Sequence, residues 1–187
     1  MSQVTRLGVG KKVAYAIGQA GNVLGYQMIG QLILPLYTPP EGQGFHNLIP
    51  VAGASVAMFV PRLVDTFFDP YLANLSDRST SRLGRRRAFM LLGFFPLALA
   101  TGLCFAPPSD EAGMLNAVYI AVMLTAYNCL FSVYVGPYLS LLPELFPDKD
   151  ENTQVSTMQA GAALIGAALV GGALIFVPPH DPDRAGL

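Results

Sequence analysis

The chain has no tryptophan, only two cysteines and two histidines in 187 residues, and just 12% of its residues are charged. Each shortage excludes something. Cys104 and Cys129 both fall in apolar stretches and share no paired spacing, so they read as small hydrophobic residues rather than a disulfide framework or a metal site. His46 and His180 stand far apart in loops, with no His-His or Cys-His ligand spacing and no nucleophile converging on either, which argues against an enzyme. The charged fraction is about half that of an average soluble domain. With 52% hydrophobic residues beside it, this is the composition of a bilayer protein. A net charge of −1 offers no basic surface for nucleic acid.

What the chain does have is length of apolar run. Five such segments lie at roughly 13–37, 48–75, 88–106, 114–143 and 155–177, and each reaches the ~20 residues a helix needs to cross hydrocarbon. The expectation is an all-α membrane protein of about five transmembrane helices. Residues 1–12 form a cytoplasmic N-terminus, 13–177 the helical domain with a basic loop at 76–87, and 178–187 a C-terminal tail. The first segment is too long for a signal peptide, holds Gln19, Asn22, Gln27 and Gln31, and is not followed by a clear small-residue cleavage site.

Basic residues give the expected orientation. Arg6, Lys11 and Lys12 precede the first segment, Arg78, Arg82, Arg85, Arg86 and Arg87 crowd the loop after the second, and Lys149 precedes the fifth. The loops at 38–47 and 107–113 hold no Lys or Arg. The positive-inside rule then places the N-terminus in the cytoplasm of a multi-pass protein of the cell's inner (plasma) membrane. Anionic lipid head groups are a generic partner for such an arginine cluster.

One segment breaks the apolar pattern. Arg62, Asp65 and Asp69 recur at spacings of three and four, so on a helix they share one stripe. Ionisable groups inside a span cost several kcal/mol and mark ion or substrate paths. A structural ion pair locking two helices is the plainer alternative. The first segment carries a polar stripe, Tyr15, Gln19, Asn22 and Tyr26, and the fourth an aromatic one, Tyr127, Phe131, Tyr134 and Tyr138, beside Asn128 and Ser132. These residues either hydrogen-bond between helices or line a central cavity. Gly21 with Gly25, Ala162 with Gly166 and Ala167 with Gly171 are small-xxx-small pairs that permit close helix approach.

The run Asp65-x-x-x-Asp69-Pro70, followed by Asp77-Arg78-Ser79-Thr80-Ser81-Arg82-Leu83-Gly84-Arg85-Arg86-Arg87, resembles the glycoside-pentoside-hexuronide cation symporters, the melibiose permease-like branch of the major facilitator superfamily. The likeness continues in Tyr15-Ala16-Ile17-Gly18-Gln19 and in Pro137-Tyr138-Leu139-Ser140-Leu141-Leu142-Pro143, and covers roughly residues 11–176. It implies two six-helix halves that rock about a midplane site, of which this chain matches the N-terminal portion. Asp65 and Asp69 match the family's cation site, with Arg62 on the same stripe and Ser132 at a hydroxyl position that helps ligate sodium in melibiose-type members. Tyr15, Gln19, Asn22, Tyr26, Asn128, Tyr134 and Tyr138 are the cavity candidates. Asp77, Arg78, Gly84 and Arg85 match a loop that pins helix ends in one conformation.

Departures from the pattern narrow the expectation. Val23 and Val135 stand where melibiose-type members carry acidic sugar ligands, Ala160 where they carry an arginine, and Leu139 where a tryptophan stacks on sugar. Phe68 replaces an amide just before the second aspartate, which removes an oxygen that sodium would use and favours a proton as coupling ion, with sodium the alternative. The reading is a cation-coupled symporter of a sugar, glycoside or related small solute, with no cofactor. A lysolipid or amphiphile symporter of the same superfamily is the second reading, and a non-transporting membrane subunit or gene remnant the third. Because the match ends after the fifth span, the expectation is a fragment, inactive alone, whose partner is the missing C-terminal half.

Overall fold

The computed structural model describes residues 8–39, 47–78, 85–109 and 111–176. Among them are five helices and no strand: α1 (Val9–Tyr37), α2 (Val51–Arg78), α3 (Arg85–Cys104), α4 (Met114–Leu145) and α5 (Lys149–Phe176). In hydrocarbon an unpartnered backbone N–H or C=O is costly, so apolar runs of this length close their hydrogen bonds within themselves. Prolines mark the breaks, at Pro39, at Pro107-Pro108 and at Pro147, each just past a helix end. Pro35, Pro61, Pro70 and Pro96 lie inside helices, which membrane helices tolerate.

The helices overrun the expected segments at their polar ends. α1 begins at Val9 rather than 13, taking Lys11 and Lys12 into its first turn, because lysine is a good helix former and the membrane does not limit helix length. α5 begins at Lys149 rather than 155. Asp150 and Glu151 sit in its first turn, where negative charge complements the helix dipole. Asn152 reinforces that start, its backbone N–H donating to the Asp148 carbonyl at 2.9 Å and its side-chain amide to the Phe146 carbonyl at 3.3 Å. α2 runs to Arg78 and α3 starts at Arg85, so Asp77, Arg78 and Arg85 belong to helix ends rather than to a loop. Residues 79–84 of the expected loop, Gly84 included, lie outside the described residues, as do the side chains of Asp77, Arg78 and Arg85.

Three helical stretches, Arg86–Cys104, Met114–Leu145 and Lys149–Gly172, are long and apolar enough to cross a membrane. α1 and α2, at 29 and 28 residues, have the length, about 43 Å, and carry the polar and charged stripes. Large apolar side chains face outward, among them Phe67 at 77% exposure, Phe95 at 76% and Leu164 at 72%. Such a surface is suited to lipid.

The chain divides into two compact units. The first joins residues up to Gly30 with Ser140–Pro179, so it contains most of α1, the last turns of α4, and α5. Its seam is apolar and tight: Ala16 and Val155 are buried, the rings of Tyr15 and Phe146 lie 6.0 Å apart, and Gly166 comes so close to Ala20 that an added Cβ would meet the Ala20 carbonyl oxygen at 2.5 Å. At the start of both helices Lys12 forms an ion pair with Glu151 at 2.9 Å, and its Nζ also donates to Gln154 Oε1 at 3.5 Å.

The second unit runs from Gln31 to Leu139 and contains the last turns of α1, α2, α3 and most of α4. α2 packs on α3. Gly93 of α3 meets Val133 and Tyr134 of α4, and Gly53 of α2 meets Ala117 of α4, where an added Cβ would stand 3.0 Å from the alanine Cβ. At one end of this unit a buried network joins all four helices. Tyr37 at the end of α1 donates its hydroxyl to the Cys104 carbonyl at the end of α3 (3.2 Å), and its own carbonyl accepts from Leu48 N–H (3.0 Å) just before α2. The Leu48 carbonyl accepts in turn from Gly113 N–H and from the Asn116 side-chain amide at the start of α4, both at 3.2 Å.

Candidate functional site

The charged stripe of α2 reaches α4 at one point. Ser132 Oγ donates to Asp65 Oδ1 at 3.4 Å, a long hydrogen bond between two half-buried side chains. The contact exists because α2 and α4 run the same way and stay together: Gly53 lies against Ala117, and Asp65 against Ser132 further along both helices. Asp69 and Arg62, one turn to either side of Asp65, are exposed and act on it electrostatically. Thr66, between the two aspartates, donates its hydroxyl to the Arg62 carbonyl one turn back at 2.9 Å. The structure thus brings together the four coupling candidates, Arg62, Asp65, Asp69 and Ser132.

Cys129 also belongs to this neighbourhood. It sits one turn before Ser132 on α4, half-buried, and feels the charge of both Asp65 and Asp69. Sequence reasoning treated it as a small hydrophobic residue. Its spacing of three from Ser132 was the available signal. No group of three or more His, Cys, Asp and Glu side chains that could hold a metal ion occurs among the described residues.

The cavity candidates divide between the two units. Tyr15, Gln19, Asn22 and Tyr26 follow α1 in the first unit. Asn22 is buried and donates to Gln19 Oε1 at 3.5 Å, Tyr15 packs on Phe146, and Tyr26 is 40% exposed. Asn128, Tyr134 and Tyr138 belong to the second unit, the first two half-buried and Tyr138 buried. The aromatic stripe of α4 is physical at its start, where Tyr127 and Phe131 stack with ring centroids 5.7 Å apart.

Toward the starts of the same two helices, an apolar groove of about 700 Å³ runs between α2 and α4. Val56 and Val60 form one wall and Val118, Ala121 and Val122 the other. Among the described lining residues its one hydroxyl, Thr125, donates its proton to the Ala121 carbonyl at 2.7 Å.

A family model described as "MFS/sugar transport protein" matches residues 22–180. Among curated relatives, the chain is 27% identical to the uncharacterized symporter YnaJ of Bacillus subtilis (strain 168), over 83% of this chain and 32% of that protein. It is 26% identical to the isoprimeverose transporter of Lactiplantibacillus pentosus, over 80% of this chain and 30% of the relative. It is also 26% identical to the putative glycoside/cation symporter YagG of Escherichia coli (strain K12), over 79% and 31%. The chain spans about a third of the length of these relatives. No solved structure gives a significant match.

Proposed function

Because the chain belongs to the MFS/sugar transport protein family, we propose that it forms the N-terminal part of a cation-coupled symporter that moves a sugar, glycoside or related small solute by alternating access. The observation that carries this reading is the Asp65–Ser132 contact: a carboxylate within a membrane helix, met by a hydroxyl from a neighbouring helix, with a second carboxylate and an arginine one turn away. Two carboxylates so close in a poorly hydrated place do not both ionise cheaply, so an ion must partly neutralise them. A proton needs only a carboxylate. Sodium needs several hard oxygens, and Phe68 offers none. The coupling ion is therefore H+ rather than Na+, shared by Asp65 and Asp69, with Arg62 setting which of them is charged. The N-terminus faces the cytoplasm, and within the second unit Asn128, Tyr134 and Tyr138 of α4 face the solute.

The relatives named for isoprimeverose and glycoside transport support a saccharide as solute. The apolar groove between α2 and α4 favours a second reading, an amphiphile whose alkyl portion occupies it, since a groove whose one hydroxyl has its proton engaged offers too little to replace the hydration of bare sugar hydroxyls.

The test is uptake into membrane vesicles holding the chain together with the C-terminal portion of a matching symporter. Imposed proton gradients should drive accumulation, and Asp65→Asn and Asp69→Asn should each abolish uphill uptake while leaving downhill exchange. Uphill uptake surviving both substitutions sinks the coupling site.

A further inference from the structure

Asn116 is the most enclosed polar side chain of the second unit, at 0% exposure, and neither the charged stripe nor the solute face includes it. Its amide nitrogen faces three backbone carbonyls: Ser109 at 2.8 Å, Glu111 at 3.1 Å and Leu48 at 3.2 Å. Two N–H bonds shared among three acceptors tie the α3–α4 connection and the residues leading into α2 onto the start of α4. Gly113 N–H adds a second bond to the Leu48 carbonyl at 3.2 Å, and Tyr37 extends the tie to the ends of α1 and α3. The Asn116 Oδ1 is buried without a hydrogen-bond partner, a cost accepted in order to present the donors.

The position of this clamp matters for the carboxylate. Leu48 stands 17 residues before Asp65, and Asn116 stands 16 before Ser132. On two helices running the same way, a tie at their starts fixes their relative slide, and the second pair follows about 21 Å along α2 from Val51 and about 24 Å along α4 from Asn116. A slip of one turn, about 5.4 Å, would leave Asp65 facing Cys129 or Gly136 instead.

We propose that Asn116 is a positioning residue: through the Tyr37–Leu48–Asn116 clamp it fixes the register of α2 against α4, and so places Asp65 opposite Ser132. The consequence for transport rests on the coupling role proposed above, but the register does not.

Disulfide formation reads the register directly, whether or not the pair carries an ion. In a background with Cys104→Ala and Cys129→Ala, Asp65→Cys and Ser132→Cys should cross-link on mild oxidation. Adding Asn116→Asp keeps the shape, removes the donors and sets a carboxylate against carbonyls. The cross-linking rate should fall about tenfold, since disulfides tolerate little displacement, and with Ser132 restored, cross-linking of Asp65→Cys to Gly136→Cys, or to Cys129 where that residue is kept, should rise. Tyr15→Cys with Phe146→Cys, joined by a bifunctional maleimide, should be unaffected and reports that the first unit is folded, while an unchanged helical circular-dichroism spectrum reports the same of the whole chain. An unchanged Asp65→Cys/Ser132→Cys rate in the folded Asn116→Asp chain overturns the proposal. Should Asn116→Asp lose the control cross-link as well, Tyr37→Phe decides, because it removes one hydroxyl and keeps the ring. A slower Asp65→Cys/Ser132→Cys cross-link then supports the clamp, and an unchanged one overturns it.

Discussion

Lys12 and Glu151, 139 positions apart in sequence, form an ion pair of 2.9 Å with side chains only 9% and 7% exposed. The pair joins the first turn of α1 to the first turn of α5. Its two charges are not equally at home there. Glu151 complements the N-terminal dipole of α5, whereas Lys12 opposes that of α1 and depends on Glu151 and Gln154 for compensation.

Removing one partner should therefore cost more than removing both. Lys12→Met strands the Glu151 carboxylate and Glu151→Gln strands the Lys12 ammonium, each by about 3–5 kcal/mol at full burial. The double substitution Lys12→Met/Glu151→Met should recover most of that loss. Thermal denaturation of the detergent-solubilised chain checks this. Additive losses in the double variant would show that the two side chains contribute separately.

The α1–α5 seam gives a prediction with its own control. An added Cβ at Gly166 meets the Ala20 backbone oxygen, which cannot rotate away, whereas at Gly21 and Gly25 a Cβ meets nothing within 4 Å. Gly166→Ala should destabilise by about 1–3 kcal/mol through overpacking. Gly21→Ala and Gly25→Ala should be neutral or stabilise by about 0.5–1 kcal/mol, because a mid-helix glycine loses that much to alanine. Equal melting shifts at all three positions would remove the close crossing at Gly166.

These glycines show what the sequence could and could not reveal. The small-xxx-small pattern occurs in both α1 and α5, and only packing decides that Gly166 is a crossing point while Gly21 and Gly25 face open space. The five helices were legible because each apolar run satisfies its own backbone, and the Arg62–Asp65–Asp69 stripe because charge in such a run is conspicuous. The Asp65–Ser132 contact was reachable only through a family likeness, since a serine in an apolar helix is unremarkable by itself. Lys12 and Asn116 were missed for a common reason. A lysine before a span reads as a topology signal and an asparagine at the start of an apolar segment carries no signal by itself, while Glu151 and the Leu48 carbonyl, which engage them, lie far away in sequence.

Orientation can be checked independently of transport. Ala112 is exposed between α3 and α4, a connection without basic residues, and Asp150 is exposed in the first turn of α5 beside Lys149. In sealed, right-side-out cells, Ala112→Cys should react with an impermeant thiol reagent and Asp150→Cys only after permeabilisation. The opposite pattern would invert the proposed topology.

Ser132 separates the two coupling ions. For a proton, the hydroxyl at 3.4 Å from Asp65 is an adjunct: a hydrogen bond to a charged group is worth about 1.5–3 kcal/mol at good geometry, and this one is long. For sodium it is one of few hard oxygens within reach, since Phe68 supplies none and Asp69 is exposed. In vesicles holding the chain with a matching C-terminal portion, Ser132→Ala should reduce proton-driven uptake by no more than about tenfold, corresponding to about 1.4 kcal/mol. Asp65→Asn should abolish it. Ser132→Cys should resemble alanine, because a thiol is a poor oxygen substitute in either role. If an imposed sodium gradient at fixed pH and voltage drives uptake, and Ser132→Ala eliminates it while a proton gradient has no effect, the site binds sodium and the proton assignment fails.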